Sequence, residues 1–377
     1  MIRVTTNNTL HMYQSNLLRS SNQLYSVMNK LMTGRNFDSY SANPAGATRA
    51  FKLYSSLNAT NAQASNNETV VSKFSTAYSA LDSAIDKMAL PTGVDAILGG
   101  LDDTHLSDLN AYGLTIREGA EGIVQSLNAK YSDDFIFNGA ETGEAPFAIK
   151  RDAVTGRDVL TFRGLKVDVP NDGEQYLDTD GQPVEILDAD GNPTGTFKTN
   201  ADVYAELQEM AGETLYVDIG LGFQLEGGQV VENTAFNSAL SGIDLLGFGV
   251  DENGDPRNIV SQMLQIADIF EGYDHEAGTW SDAGNKEDAR RLAGKFEDSY
   301  DDAIEQWSAL SAQVTYLNSN QTRLTQTFDN LDTERGAIED IDQVDAIMEL
   351  SWAQVTYNAA LQVGANVIPQ SLMDYLQ

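Results

Sequence analysis

Residues 314–338 form the stretch VTYLNSNQTRLTQTFDNLDTERGAI. Its apolar side chains follow steps of three and four, at Val314, Leu317, Leu324, Phe328, Leu331 and Ile338. The polar residues Gln321 and Arg335 occupy the two positions that the pattern leaves open. Because this is the coiled-coil period, the stretch predicts a long helix whose single apolar seam needs a partner.

Similar seams occur at both ends of the chain. Near the start, the apolar positions are Leu10, Tyr13, Leu17, Leu24, Val27 and Leu31. After residue 338 the spacing slips to consecutive steps of three, and a second C-terminal seam continues through Val344, Met348, Trp352, Val355, Ala359, Val363 and Val367. Each seam needs a partner, so the N- and C-terminal segments are predicted to pair in a long antiparallel helical rod.

The middle of the chain has a different pattern. Helical spacing predicts a first helix that stops at Thr33-Gly34, a second of more than forty residues from Pro44, and a third from about Thr104. From Asp134 short alternating runs and Asn-Gly or Asp-Gly pairs predict strands, and helical spacing returns at Pro256. The predicted fold is mainly α with a β-rich insert. In chain order its segments are a terminal helix at 1–33, the first half of the rod at 34–133, a β-rich acidic outer domain at 134–255, the second half of the rod at 256–340 and a terminal helix at 341–377.

The charge of the chain excludes some partners. The formal net charge is −33, with 23 Lys and Arg in 377 residues, so neither nucleic acid nor an anionic membrane surface is expected as a partner. Residues 141–285 hold 28 of the 56 acidic side chains and only 7 of the basic ones. This distribution is typical of a solvent-facing outer domain, and an acidic surface adapted to a salty environment explains it equally well.

Neither disulfide bonds nor membrane-spanning segments are expected. The sequence contains no Cys, and no window of about 18 apolar residues exists that would span a bilayer. The first fifteen residues carry one Arg and no continuous apolar core, so a cleaved secretion signal is not expected.

No pattern in the sequence proposes catalysis, a metal or a cofactor. Three Asp-rich segments, at 178–181, 188–192 and 251–255, superficially resemble calcium loops, but the Gly and Glu that an EF-hand requires are not at the right positions. They are interpreted as simple turns. The three His residues are isolated in sequence. The chain is therefore expected to be no enzyme and to hold no cofactor.

Four stretches carry a resemblance to a known family. They are Thr33-Gly34-Arg35 with Asn43-Pro44-Ala45-Gly46-Ala47, then Asp134-Phe135-Ile136-Phe137-Asn138-Gly139 with Thr142 and Ala145-Pro146-Phe147, then residues 338–350, and finally residues 362–377. Together they resemble the flagellin-like family of bacterial axial proteins. The second stretch is similar to the signature of members that join hook and filament. One departure is Ala42-Asn43, where the family usually has an acidic pair before Pro44.

The resemblance implies a structural role in the bacterial flagellum. It implies self-assembly through the terminal helices, an extracellular position at the hook-filament junction, and export by the flagellar type III apparatus. The implied partners are copies of the same chain, the neighbouring axial proteins (the first hook-associated junction protein and flagellin), and a cytoplasmic export chaperone on the C-terminal helix from about Val344. Two alternatives stay open: a flagellin that forms the filament itself, and a secreted adhesin-like protein that uses the β insert.

The terminal seams are the candidate subunit interface. One apolar stripe buries too little area to offset the ordering of a thirty-residue helix, so the ends are expected to order fully only when neighbouring subunits cover them. The residues assigned to this interface are Leu10, Tyr13, Leu17, Leu24, Leu31, Val355, Val363, Val367, Leu372, Tyr375 and Leu376.

Overall fold

The computed structural model describes residues 2–37, 39, 41–89, 109–141, 143–187, 191–274, 276–281 and 284–367. Its helices are α1 (Ile2–Thr33), α2 (Pro44–Met88), α3 (Leu109–Leu127), α4 (Asn200–Ala211), α5 (Gly242–Leu246), α6 (Ile259–Glu271), α7 (Lys286–Glu339) and α8 (Gln343–Val367). Its strands are β1 (Lys130–Tyr131), β2 (Asp134–Phe135), β3 (Asn138–Gly139), β4 (Phe147–Arg151), β5 (Asp158–Phe162), β6 (Leu165–Lys166), β7 (Glu185–Leu187), β8 (Pro193–Phe197), β9 (Tyr216–Val217), β10 (Leu225–Glu226), β11 (Gln229–Val230), β12 (Phe236–Asn237) and β13 (Leu240–Ser241).

The predicted fold class is confirmed, because helices dominate the structure, the two terminal helices α1 and α8 pack together, and the strands are confined to the middle of the chain. The strands form antiparallel pairs, and β4–β5–β6 is the one three-stranded sheet within the described residues. The change of apolar spacing after residue 338 also coincides with a break in the helix, since α7 ends at Glu339 and α8 begins at Gln343.

Local sequence signals set the ends of the first two helices. The N–H of Gly34 donates to the Lys30 carbonyl at 2.8 Å, and Gly34 takes φ +71°, a left-handed conformation that glycine adopts without strain. Pro44 starts α2, where its missing N–H would be unpaired in any case. The Asn43 side chain accepts the N–H of Gly46 at 3.0 Å and caps this helix.

The chain divides into two compact units. The first comprises residues 1–62 with 323–377, and the second comprises residues 63–322. Both α2 and α7 contribute residues to both units. The buried apolar residues that form the main hydrophobic cluster run from Val70 to Leu317 and therefore belong to the second unit.

The second unit is organised by the close packing of α3 on α6, a contact that sequence analysis did not predict. A side chain at Gly113 would lie 2.9 Å from the Glu271 side chain, so only glycine permits this approach. Arg117 fixes the arrangement through ion pairs with Asp268 at 2.6 Å, Glu271 at 2.9 Å and Asp158 at 2.8 Å. These ion pairs tie α3 to α6 and to β5.

Residues 135–137 lie in the stretch from Asp134 where the sequence predicts strands, but they do not form one continuous strand. The segment forms the end of β2 and a tight reversal before β3, with Ile136 and Phe137 both buried. Two consecutive buried side chains do not fit a strand that faces solvent on one side. Asn138 is held there by Arg163, whose Nε donates to Asn138 Oδ1 at 2.8 Å and whose guanidinium pairs with Glu213 at 2.6 Å.

Candidate assembly interface

The terminal helices α1 and α8 pack against each other along their length within the first unit. On α1 the residues of low exposure recur at helical spacing and define an inner side, with Tyr13, Leu17, Leu24 and Leu31 half-buried and Val27 buried. This is the predicted N-terminal seam. It faces a helix of the same subunit.

The inner side of α8 is made mainly of small residues. Ala346 and Ala353 are buried, Ala360 is half-buried and Gly364 is buried. A side chain at Gly364 would collide with the ring of Tyr13, so the tyrosine lies directly over this glycine. Small residues on one helix let the large side chains of the other approach its backbone closely.

The seam predicted on α8 lies on the opposite side of the helix from this contact. Val344, Met348, Trp352, Val355 and Val363 are all exposed, with Trp352 at 73% and Val355 at 62% of their full exposure. The terminal segments pair as predicted, but the contact uses the other side of α8, so its apolar seam stays uncovered within the subunit. The small residues at 346, 353, 360 and 364, together with the half-buried Leu350 and Tyr357, form the side of α8 that packs on the N-terminal seam, while the exposed apolar residues face away from α1.

We call the exposed apolar residues of the two helices the outer apolar surface. Its members are Leu10, Met12, Leu18, Tyr25, Met28 and Met32 on α1, and Val344, Ile347, Met348, Trp352, Val355, Leu361 and Val363 on α8. Soluble monomers rarely expose so many large apolar side chains on one pair of elements, and such surfaces are typical of protein-protein contacts. This surface is the candidate functional site.

The residues assigned to the interface from the sequence fall into three groups. Leu10, Val355 and Val363 belong to the outer apolar surface. Tyr13, Leu17, Leu24 and Leu31 are half-buried on the inner side of α1. The side chain of Val367 and the residues Leu372, Tyr375 and Leu376 lie outside the described part of the chain.

Sequence reasoning missed most of the outer apolar surface, because only Leu10, Val355 and Val363 of its 13 members were assigned to the interface. Leu18, Tyr25, Met28 and Met32 lie beside the N-terminal seam and follow each other at steps of seven, three and four. That second row was a readable signal, because a helix with two apolar rows has more apolar surface than one partner helix can cover.

A backbone clasp holds the loop after α1 against the break between α7 and α8. The N–H of Asn36 donates to the Glu339 carbonyl at 2.7 Å, and the N–H of Ile341 donates to the Gly34 carbonyl at 3.1 Å. The Asn36 side chain adds a hydrogen bond to the Asp340 carbonyl at 2.8 Å. These contacts fix where α8 begins relative to the end of α1.

The polar position Arg335 is paired within the same unit. Tyr54 of α2 donates to Glu339 Oε2 at 2.6 Å and accepts from Arg335 Nη1 at 3.2 Å. The hydrogen bond with Tyr54 and the ion pair with Asp332 raise the pKa of Arg335, so the guanidinium stays protonated. This polar triad fixes the register of α2 and α7 beside the clasp.

The Asp-rich segments that resemble calcium loops form turns where the structure describes them. Asp251 Oδ1 accepts the N–H groups of Asn253 at 2.8 Å and Asp255 at 3.0 Å, and Lys295 forms ion pairs with the carboxylates of Asp251 and Asp255. Asp178 Oδ1 accepts the N–H of Gln182 at 2.8 Å in the same manner. The third segment, 188–192, lies mostly outside the described residues.

No group of three or more His, Cys, Asp or Glu side chains in the described ranges is arranged to hold a metal ion. Within the same ranges, no helix has a stretch long and apolar enough to cross a bilayer.

Comparisons of the sequence with protein families give two matches. The bacterial flagellin N-terminal helical region matches residues 4–142, and the bacterial flagellin C-terminal helical region matches residues 297–376. Together the matches cover more than half of the chain and include both terminal helices. No curated protein matches the sequence.

Comparisons with solved structures give several matches at low sequence identity. A protein of Vibrio parahaemolyticus described as a flagellar hook-associated protein is 13% identical, with a TM-score of 0.47 and coverage of 79% of this chain and 100% of its own. FlgL of Bacillus cereus is 12% identical, with a TM-score of 0.42 and coverage of 76% and 99%. Flagellar hook-associated protein 3 of Legionella pneumophila is 11% identical, with a TM-score of 0.42 and coverage of 75% and 96%.

Proposed function

The chain belongs to the flagellin family, and we propose that it is a structural subunit of the bacterial flagellum, of the FlgL type, that forms the junction between hook and filament. The observation that carries this proposal is the outer apolar surface, because it leaves large apolar residues uncovered on two helices that the subunit itself holds together. Burial of this surface between subunits supplies the driving force for assembly.

The two sides of the helix pair have different roles in this proposal. The inner side, with Tyr13, Leu17, Leu24 and Leu31, holds α1 to α8 within a subunit and so presents the outer side to neighbours. The outer apolar surface then forms the subunit contacts, together with Val367, Leu372, Tyr375 and Leu376 at the C-terminal end. The contacts are heterologous, because a contact that repeats around an axial assembly joins two different patches of neighbouring copies.

The proposed partners follow from this surface. Copies of the chain contact each other laterally, while the first hook-associated junction protein and flagellin contact it along the axis. Before export, a cytoplasmic chaperone covers the exposed apolar residues of α8, which would otherwise promote aggregation. The assembled protein lies outside the cell on the flagellum, and its role is structural, without enzymatic activity.

The choice of the junction over the filament rests on residues 134–139. This segment is similar to the signature of junction-forming members, and in the structure it is a rigid corner held by Arg163 and Glu213 at the start of the β insert. The nearest alternative is a filament subunit. The second alternative is a secreted adhesin-like protein that uses the β insert.

Immunogold labelling of detached hook-filament complexes tests the proposal. We expect label confined to a short zone at the hook-proximal end of each filament. Label along the whole filament would identify a flagellin instead, and label on the cell surface but absent from flagella would favour the adhesin-like alternative.

A further inference from the structure

A cavity of about 580 Å³ lies within the second unit, between α2 and the β insert. Its wall is mainly apolar and includes Val70 of α2, Ile136, Leu215 and Val217 of β9. Its size falls within the range of cavities that hold small organic ligands. Neither the outer apolar surface nor the proposed assembly uses this cavity.

One cationic side chain lines the cavity, that of Lys73 on α2. Its Nζ donates to the Ser238 carbonyl at 2.9 Å, which uses one of the three donors of the ammonium group. Among the described residues no carboxylate lies within 4.0 Å of Nζ. Burial lowers the pKa of Lys73, and Asp134 at the cavity wall opposes this effect through its charge.

We propose that this cavity binds an amphipathic monocarboxylate, with the carboxylate on Lys73 Nζ and the hydrocarbon part against Leu215 and Val217, the apolar lining residues that are not fully buried. A half-buried ammonium group without an ion-pair partner is stabilised most by an anion that accepts charge-assisted hydrogen bonds from it. The apolar wall selects a hydrocarbon tail over a fully polar anion. Asp134 lines the same cavity, so a ligand with two negative charges is repelled more strongly than a monoanion.

A head-group series on the unaltered full-length protein tests the proposal without any change to the fold. Decanoate, decanol and decylamine share one tail, and their affinities are compared by isothermal titration calorimetry below the critical micelle concentrations of the two charged compounds and below the solubility limit of decanol. We expect decanoate to bind at least tenfold more tightly than either of the others. No saturable decanoate binding at millimolar concentration, or equal binding of decylamine, would overturn the proposal.

Substitution of the lysine gives the second test. Lys73→Met keeps a long apolar stem and removes the charge, and it is expected to weaken decanoate binding about 10- to 100-fold while decanol binding stays unchanged. Lys52→Met, at an exposed position of the same helix, is the matched control and is expected to bind decanoate as the unaltered protein does. Equal decanoate affinity in Lys73→Met, with far-ultraviolet circular dichroism showing a folded protein, would contradict the assignment.

Discussion

The backbone N–H of Asn36 donates to the Glu339 carbonyl at 2.7 Å and joins the loop after α1 to the last residue of α7. The Asn36 side chain adds a hydrogen bond to Asp340. Because α1 and α8 emerge from the two sides of this clasp, it controls how the outer apolar surface is presented. Loss of the clasp should therefore affect assembly before it affects global stability.

The side-chain part of the clasp can be removed by Asn36→Ala. Without the side-chain bond the clasp opens more often, so we expect faster hydrogen exchange at the amides of residues 36 and 341. The backbone bonds remain and the second unit is not altered, so its melting temperature should be unchanged. Asn29→Ala, at an exposed position on α1, serves as the control. Unchanged exchange at both amides in Asn36→Ala would show that the side chain does not support the clasp.

The contact between Tyr13 and Gly364 predicts a measurable coupling. Gly364→Ala improves helix propensity by roughly 1 kcal/mol but places a methyl group against the Tyr13 ring. In a Tyr13→Ala background the same change should stabilise the terminal helices, whereas with Tyr13 present the gain should be lost. A double-mutant cycle on the free energy of unfolding of the terminal helices measures this coupling. Equal effects of Gly364→Ala in both backgrounds would mean that the two residues do not touch.

A buried amide pair fixes the register of α2 and α7 in the second unit. Asn320 Nδ2 donates to Asn67 Oδ1 at 2.9 Å, and Asn67 Nδ2 donates to the Leu317 carbonyl at 3.0 Å and to Gln321 Oε1 at 2.7 Å. Asn67→Leu should lower the free energy of unfolding by about 1–3 kcal/mol, because it leaves Asn320 Nδ2, the Leu317 carbonyl and Gln321 Oε1 without their hydrogen bonds to Asn67.

The control for this pair is the double change Asn67→Leu with Asn320→Leu, measured by urea denaturation. Its cost should be smaller than the sum of the two single changes, since the double variant removes both members of the amide pair. Additive costs would contradict the assignment of a coupled pair.

Burial raises the pKa of Asp168 to about 7. Its Oδ1 has no hydrogen-bond partner among the described residues. The folded state then holds a proton more tightly than the unfolded chain, so Asp168 favours folding below its unfolded pKa, and this contribution is lost as the pH rises through about 7.

Asp168→Asn should therefore be more stable than the unaltered protein at pH 8 and should differ little from it at pH 4. Denaturant titrations at the two pH values measure the difference. A destabilisation by Asp168→Asn that is equal at both pH values would contradict the titration.

The sequence predicted the helices well because each has a strong local pattern. Pro44, Gly34 and the slip after residue 338 marked helix ends that the structure confirms. The polar positions Gln321 and Arg335 looked like gaps in a seam, and the structure pairs them with Asn67 and Tyr54 of α2. A gap in one seam can be recognised in a single sequence, but its partner depends on the register of two distant helices.

The candidate site was predicted only in part. The rows of apolar residues on α1 and α8 were visible, but not which row faces inwards, because α8 is apolar on two sides and small residues form its inner contact. The packing of α3 on α6 was also missed. It depends on Gly113 and on ion pairs of Arg117 with residues more than forty positions away in sequence, which no local pattern indicates.

The most direct test of the assembly account is a complementation assay with a charge placed on the outer apolar surface. Val355 is 62% exposed, so Val355→Glu should leave the monomer folded, and its neighbour Gln354→Glu adds the same charge on an exposed polar position as the control. We expect the Val355 variant to be produced as a soluble monomer that fails to join filament to hook, while the Gln354 variant restores motile flagella. Normal filament attachment by the Val355 variant would contradict the account.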